Sequence, residues 1–179
     1  MKKVLLIIGA IVAFALFVVL IAKGVENKAI TLEESIENTA GDIKVEEKRR
    51  IDLIPNLVEC VKAYDKHEYE TLVDVIKARS GEVDSKGVDQ VKLKIQAVAE
   101  AYPELKSQKN YQELMNELAI TENKISSMRR HYNSCVTYYK RYIRQFPSKQ
   151  ILEMVHYEFK DYERLEFENS SVDAPKVEF

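Results

Sequence analysis

Few residues in this chain have types that could do chemistry, and their spacing argues against the reactions they suggest. His67-Glu68 opens like the helical His-Glu-x-x-His motif of zinc hydrolases, in which two imidazoles four residues apart grip the metal and the glutamate serves as base. Thr71 stands where the second imidazole is needed. Glu153 and His156 have the Glu-x-x-His spacing of di-iron bundles, which require two such pairs and two further glutamates. Neither His67 nor His131 has a glutamate three residues before it, so no second pair exists. We therefore expect no catalytic, cofactor-binding or metal residues and no cofactor. A metal-dependent enzyme is the rival of a different class, and bound metal lost on substitution of Glu153 or His156 would identify it.

A second polar set lies on otherwise apolar faces. Glu47 and Arg50 fall between Ile43 and Ile54 on one stripe, and Glu122 and Arg129 stand seven residues apart beside another. Charges turned toward a helical core must pair, because an unpaired interior charge is strongly destabilising. With Asp52, Asn56 and Asn133 they form the expected polar framework, in structural roles that fix helix register. A network that opens for a partner is the sharper alternative.

These residues need long helices to position them. Residues 110–146 contain no Gly or Pro, and from Leu114 the spacing alternates four and three: Leu118, Thr121, Ile125, Met128, Tyr132, Cys135, Tyr139, Tyr142, Phe146. This is a heptad seam, as in a coiled coil, on a helix roughly 50 Å long. A stripe of that length needs partner helices to cover it. Thr31 with Glu34 has capping-box spacing and should start a first helix through Ile36, Ala40 and Ile43, which Pro55 kinks or breaks. Asp65 with Glu68 repeats that spacing ahead of a second helix reaching Arg79. Residues 80–87 read as a turn, and a short third helix buries Ile95, Val98, Ala99 and Tyr102 before Pro103. Asn110 should cap the fourth helix, and Pro147 should close it. Acidic Glu33, Glu34, Glu37 and Asp42 against basic Lys140, Arg141 and Arg144 predict an antiparallel pairing of the first and fourth helices. The helix macrodipole alone favours the same charge asymmetry.

The fold class is thus all-α: an N-terminal transmembrane helix followed by an elongated antiparallel bundle of about four helices. Residues 4–22 carry no charge and match the roughly 30 Å hydrocarbon core of a bilayer. The alternative, a cleaved signal peptide, usually has a shorter apolar region of about 7–15 residues. Residues 1–3 flank the span, 23–30 form a polar connector, 31–147 the bundle, 148–169 an extension without a clean period, and 170–179 a tail. Lys2 and Lys3 before the span balance Lys23 and Lys28 after it, so the sequence does not orient the chain. Cys60 and Cys135 read as buried thiols that suit either compartment. Acidic residues outnumber basic ones, 29 to 27, and the longest basic cluster is Lys48-Arg49-Arg50. We expect no nucleic-acid partner. Tyr138, Tyr139 and Tyr142 among basic residues suit lipid headgroups if that helix returns to the membrane. At the C-terminus, Val177 and Phe179 suit docking by strand addition.

Lys48-Arg49-Arg50-Ile51-Asp52-Leu53-Ile54-Pro55-Asn56-Leu57-Val58-Glu59, then His67-Glu68, Thr71-Leu72 and Ala78-Arg79-Ser80, together form a long and specific block. In this block, and in Tyr102-Pro103-Glu104-Leu105-Lys106, Thr121-Glu122, Arg129, Tyr132-Asn133 and Phe146-Pro147, the chain resembles the LemA family of membrane-anchored bacterial proteins. The likeness covers residues 43–146 and the final five; residues 29–42 and 148–169 depart from the family pattern. The resemblance implies a helical bundle behind a single-pass anchor in a bacterial cell membrane, and it brings no catalytic residue. Together these features suggest a non-catalytic scaffold or adaptor. Its expected partners are the bilayer, through residues 4–22, and a membrane or membrane-proximal protein. Self-assembly of a homo-oligomer that organises the membrane is the alternative.

Overall fold

The computed structural model describes residues 2–78 and 85–166 of the 179-residue chain. Six helices follow in order: α1 (Lys2–Val61), α2 (Lys66–Ala78), α3 (Ser85–Ala101), α4 (Pro103–Ser107), α5 (Lys109–Tyr142) and α6 (Ser148–Met154). An irregular arm over residues 157–166 ends the described part. Among the described residues there is no strand. The all-α reading holds, with a long apolar helix at the N-terminus.

The first helix departs most from expectation. α1 is continuous through both the expected connector at 23–30 and Pro55. Thr31 does not cap; its hydroxyl donates back to the Asn27 carbonyl at 2.9 Å, a bond made inside a helix. Lys23 pairs with Glu26 at 2.6 Å across one turn, so these polar residues support the helix they were expected to interrupt. An interior proline costs about 3 kcal/mol. Around Pro55, Ile54, Leu57, Val58 and Val61 are all buried. At about 1.5–3 kcal/mol each, that burial outweighs the proline.

The described residues fall into two compact units, and α1 and α5 contribute to both. In the unit comprising residues 38–130, one face of α1 packs with α2, α3, α4 and α5 around Leu57, Val61, Leu72, Val91, Ile95, Leu105 and Leu118. Asp65 caps α2 as expected, its carboxylate accepting from the Glu68 N–H at 2.9 Å. α3 is longer than anticipated; Ile95, Val98 and Ala99 are buried, whereas Tyr102 is exposed past its end. Pro103 starts α4, and α5 begins at Lys109, so Asn110 lies inside the helix and donates to the Cys60 thiol instead of capping. The expected turn at 80–87 lies largely outside the described residues, and its last three are the start of α3.

In the unit formed by residues up to 37 and from 131 onward, Ile36 of α1 packs on Cys135, Val136 and Tyr139 of α5. Val25, Glu33 and Ser35 meet Tyr142, Tyr139 and Cys135 respectively, which is antiparallel order. The α5 seam is buried at Leu118, Thr121, Ile125, Cys135 and Tyr139. It ends early: α5 stops at Tyr142, and Phe146 is 81% exposed. Both cysteines are buried and free.

Candidate functional site

The buried positions on α1 beyond the span step by three and four: Ala29, Glu33, Ile36, Thr39, Ile43, Glu46, Arg50, Ile54. Three charged residues therefore occupy positions where an amphipathic helix normally carries apolar side chains. Each unit answers this with its own set of partners.

In the 38–130 unit, Arg50 reaches across to α3 and α5. Its guanidinium donates to Glu122 at 2.9 Å and to Asp89, and the other Glu122 oxygen accepts from Lys92 at 2.7 Å. Burial pushes the Glu122 carboxyl up, but hydrogen bonds and charge from Lys92 and Arg50 outweigh it and hold the group below the usual carboxylate range. Nearby, Glu47 accepts from Arg129 at 2.8 Å, Glu46 pairs with Lys124, and Arg49 pairs with Glu117. The sequence-derived framework is thus joined as Arg50–Glu122 and Glu47–Arg129. Two of its members stand apart. Asp52 is exposed and pairs with Lys48 at 3.4 Å one turn away on its own helix, and Asn56 lies exposed in a cleft of about 430 Å³ beside Cys60 and Asn110. Sequence reasoning missed Glu46, Asp89 and Lys92.

Asn133 belongs to the other unit. Its amide oxygen accepts from the Leu165 N–H, and its amide nitrogen donates to the Leu165 carbonyl, both at 2.8 Å. One side chain thus reads both backbone groups of a single residue in the arm. Arg164 donates to Thr137 at 3.0 Å, and Lys140 pairs with Asp161 at 2.8 Å. The centre of the set is Glu33, with a side chain 10% exposed, which accepts from Tyr139 at 2.9 Å and from Tyr157, and faces Lys160 at 3.2 Å. Glu37 accepts from Lys160 and Tyr162, each at 3.0 Å. Of the acidic residues expected to face Lys140, Arg141 and Arg144, Glu33 and Glu37 are met by the arm instead, and Lys140 itself turns to the arm's Asp161.

The titration shifts say what these groups do. Hydrogen bonds from Lys160 and Tyr162 lower the Glu37 carboxyl. Burial and the Glu33 carboxylate raise Tyr157, and burial and Glu37 push Tyr162 up to about 12. Bonds to Glu37 and Glu33 raise Lys160. Acid–base catalysis favours groups brought toward neutral pH. Here each shift moves a group away from it, so the Glu37 carboxylate stays an ionised acceptor and the Tyr157 and Tyr162 phenols stay protonated donors. His67 is exposed, and Glu153 pairs with Lys149 on its own helix. Among the described residues, no group of three His, Cys, Asp or Glu is placed to hold a metal ion. Val177 and Phe179 lie outside the described residues.

The model of the LemA family matches residues 39–179. The chain belongs to that family. A curated relative, Protein LemA of Metamycoplasma hominis (strain ATCC 23114 / DSM 25592 / NBRC 14850 / NCTC 10111 / PG21), is 25% identical over 166 residues, covering 86% of this chain and 76% of the relative. The LemA match includes α6 and the arm, where residues 148–169 depart from the motifs recognised in the sequence. It begins beyond the apolar stretch, so the family model itself says nothing of residues 4–22.

Proposed function

We propose that this LemA-family chain is a single-pass, membrane-anchored helical scaffold or adaptor without a catalytic step of its own. The observation that carries the reading is the state of α1. Its apolar start has a mean hydropathy of 3.4 over an 18-residue window, none of it buried, and the same helix then enters a packed domain. That much apolar surface left in water is strongly unfavourable, and a bilayer is the environment that relieves it. The absence of a break at residues 23–30 favours an anchor retained as part of the fold. The buried charged side chains support a role in holding helices in register, since Glu33, Glu46 and Arg50 each end on a side chain from another element, Tyr139, Lys124 and Glu122 respectively. In this reading the partner is a membrane or membrane-proximal protein, and the membrane is the bacterial cell membrane.

Crosslinking in intact membranes, followed by mass spectrometry of what is attached to the chain, tests this. A discrete protein partner supports the adaptor, and the partner's compartment gives the orientation. Self-links and lipid adducts alone would replace it with a self-assembling, membrane-organising protein. Release of the full chain by alkaline carbonate would refute the anchor.

A further inference from the structure

Phe146 is more exposed than any large apolar residue of the α1 apolar stretch itself. Its place in the fold accounts for that. The Tyr142 hydroxyl donates to the Val25 carbonyl at 3.2 Å, which sets the end of α5 beside the start of the packed part of α1. Val25 lies three residues past Ala22, the last residue of the uncharged stretch, about 4.5 Å along the axis. Helical side chains lean toward the N-terminus of their helix. α5 runs antiparallel to α1 here, so the Tyr142 backbone is nearer the end of the span than its hydroxyl is. Past Tyr142 the Ile143 N–H still donates to the Tyr139 carbonyl at 3.0 Å and the Gln145 N–H to the Arg141 carbonyl at 3.1 Å, so the backbone keeps its helical course in that direction. The turn over residues 143–147 therefore lies at the level where α1 leaves its apolar stretch, and it exposes Arg144 and Phe146, with Lys149 exposed just beyond.

We infer that this turn is a second membrane contact. Phe146 enters the boundary between headgroups and acyl chains of the leaflet from which α1 emerges, and Arg144 and Lys149 meet lipid phosphates. The chemistry fits that boundary, where an apolar ring and long cationic side chains are each solvated by the layer they reach. The inference rests on the membrane-anchor reading and adds to it a fixed seating of the α5–α6 turn on the bilayer.

The chain contains no tryptophan, so a single substitution makes a unique reporter. Full-length Phe14→Trp, Phe146→Trp and Phe159→Trp are reconstituted into vesicles of phosphatidylcholine and phosphatidylglycerol, with and without brominated acyl chains. Phe159 is the water control. It packs edge-on against Tyr157, whose hydroxyl bonds Glu33, and Glu33 is about 16 Å beyond Ala22 along α1. Bromine near the boundary should quench Phe146→Trp, bromine deep in the chains should quench Phe14→Trp, and neither should quench Phe159→Trp. Adding Arg144→Glu should weaken Phe146→Trp quenching more in vesicles containing phosphatidylglycerol than in pure phosphatidylcholine. Quenching of Phe14→Trp with Phe146→Trp emitting as in water overturns the inference and leaves the anchor standing. Equal quenching of Phe159→Trp also overturns it, because the whole unit would then lie on the lipid. No quenching of Phe14→Trp removes the anchor reading and the inference with it.

Discussion

Replacing Glu33 with alanine should release the arm while leaving the helices in place. Glu33 bonds the hydroxyls of Tyr139 and Tyr157. Tyr139 is fully buried, so with the arm docked and the carboxylate gone its donor is left without that acceptor, at a cost of about 1–3 kcal/mol. Tyr157 is half-buried and partly reachable by water, which sets its share near 1 kcal/mol. Lys160 is half-exposed and keeps Glu37, so its charge adds little. Once the arm lifts away, water satisfies all three groups. The whole cost, about 2–4 kcal/mol, therefore falls on the docked state, and at 1.4 kcal/mol per decade the opening equilibrium rises about 30- to 700-fold. Two amides report it directly: the Lys160 N–H donates to the Tyr139 hydroxyl at 3.2 Å, and the Leu165 N–H donates to Asn133. Hydrogen exchange of the full chain in lipid nanodiscs should accelerate at both by that factor, with the α5 amides around Cys135 unchanged. Glu33→Gln, which keeps an acceptor for the tyrosines, should fall between the two. Exchange at Lys160 and Leu165 within about twofold of the parent would show that Glu33 does not hold the arm.

Asn133→Leu deletes both bonds to Leu165 and should speed exchange of its amide by about 5- to 30-fold, since two exposed neutral bonds contribute about 1–2 kcal/mol. Glu122→Gln should cost about 2–3 kcal/mol in urea unfolding, below the usual range for a broken buried pair because Asp89 still holds Arg50. The double variant Arg50→Met with Glu122→Leu should cost clearly less than the sum of its single changes; strict additivity would show that the two side chains do not interact. Glu37 and Glu122 titrate below their ordinary 4.5, so the stability they contribute is present above that value and is lost as pH falls through their lower folded values. Tyr162 acts at the other end: its contribution is complete below its ordinary 10.0 and is lost as pH rises toward about 12. Acrylamide access to Phe159→Trp should therefore stay flat near neutral pH and climb above 10.0, and Tyr162→Phe should reduce the climb. Gly41→Ala, at an exposed helical position where an added Cβ meets nothing within 4 Å, should raise stability by about 0.5–1 kcal/mol in the same unfolding assay.

The helices were legible wherever burial on one face sets the pattern. The α5 seam, the Asp65 cap and the stop before Pro103 follow from local spacing and from rules that act within one turn; the antiparallel run of α1 against α5 was expected from charge, yet Glu33 and Glu37 meet the arm's Lys160 there. Capping chemistry misled where the helix had reason to continue. Thr31 and Asn110 both match cap residues, yet each sits in a helix whose neighbours bury enough to carry it onward, and each turns its side chain to another acceptor. Phe146 fitted the heptad count for the converse reason: periodicity does not reveal that the helix has already ended.

Glu33 shows what a window of sequence cannot hold. Stepping back by three and four from Ile36 does reach Glu33 and Ala29, so its place on the buried stripe could have been found. Its reason for being there could not. Considered with α1 and α5 alone, a carboxylate at that position pays a desolvation penalty for one bond to Tyr139, and a leucine would pack better. The arm changes the balance by bringing Tyr157 and Lys160, residues more than a hundred positions away in sequence. The same holds for Asn133, polar at the edge of an apolar seam because it receives the backbone of Leu165. Glu33 and Glu37 of α1 and Asn133 of α5 are thus explained by a segment with no helical period of its own, whereas Arg50 and Glu47 are answered by other helices.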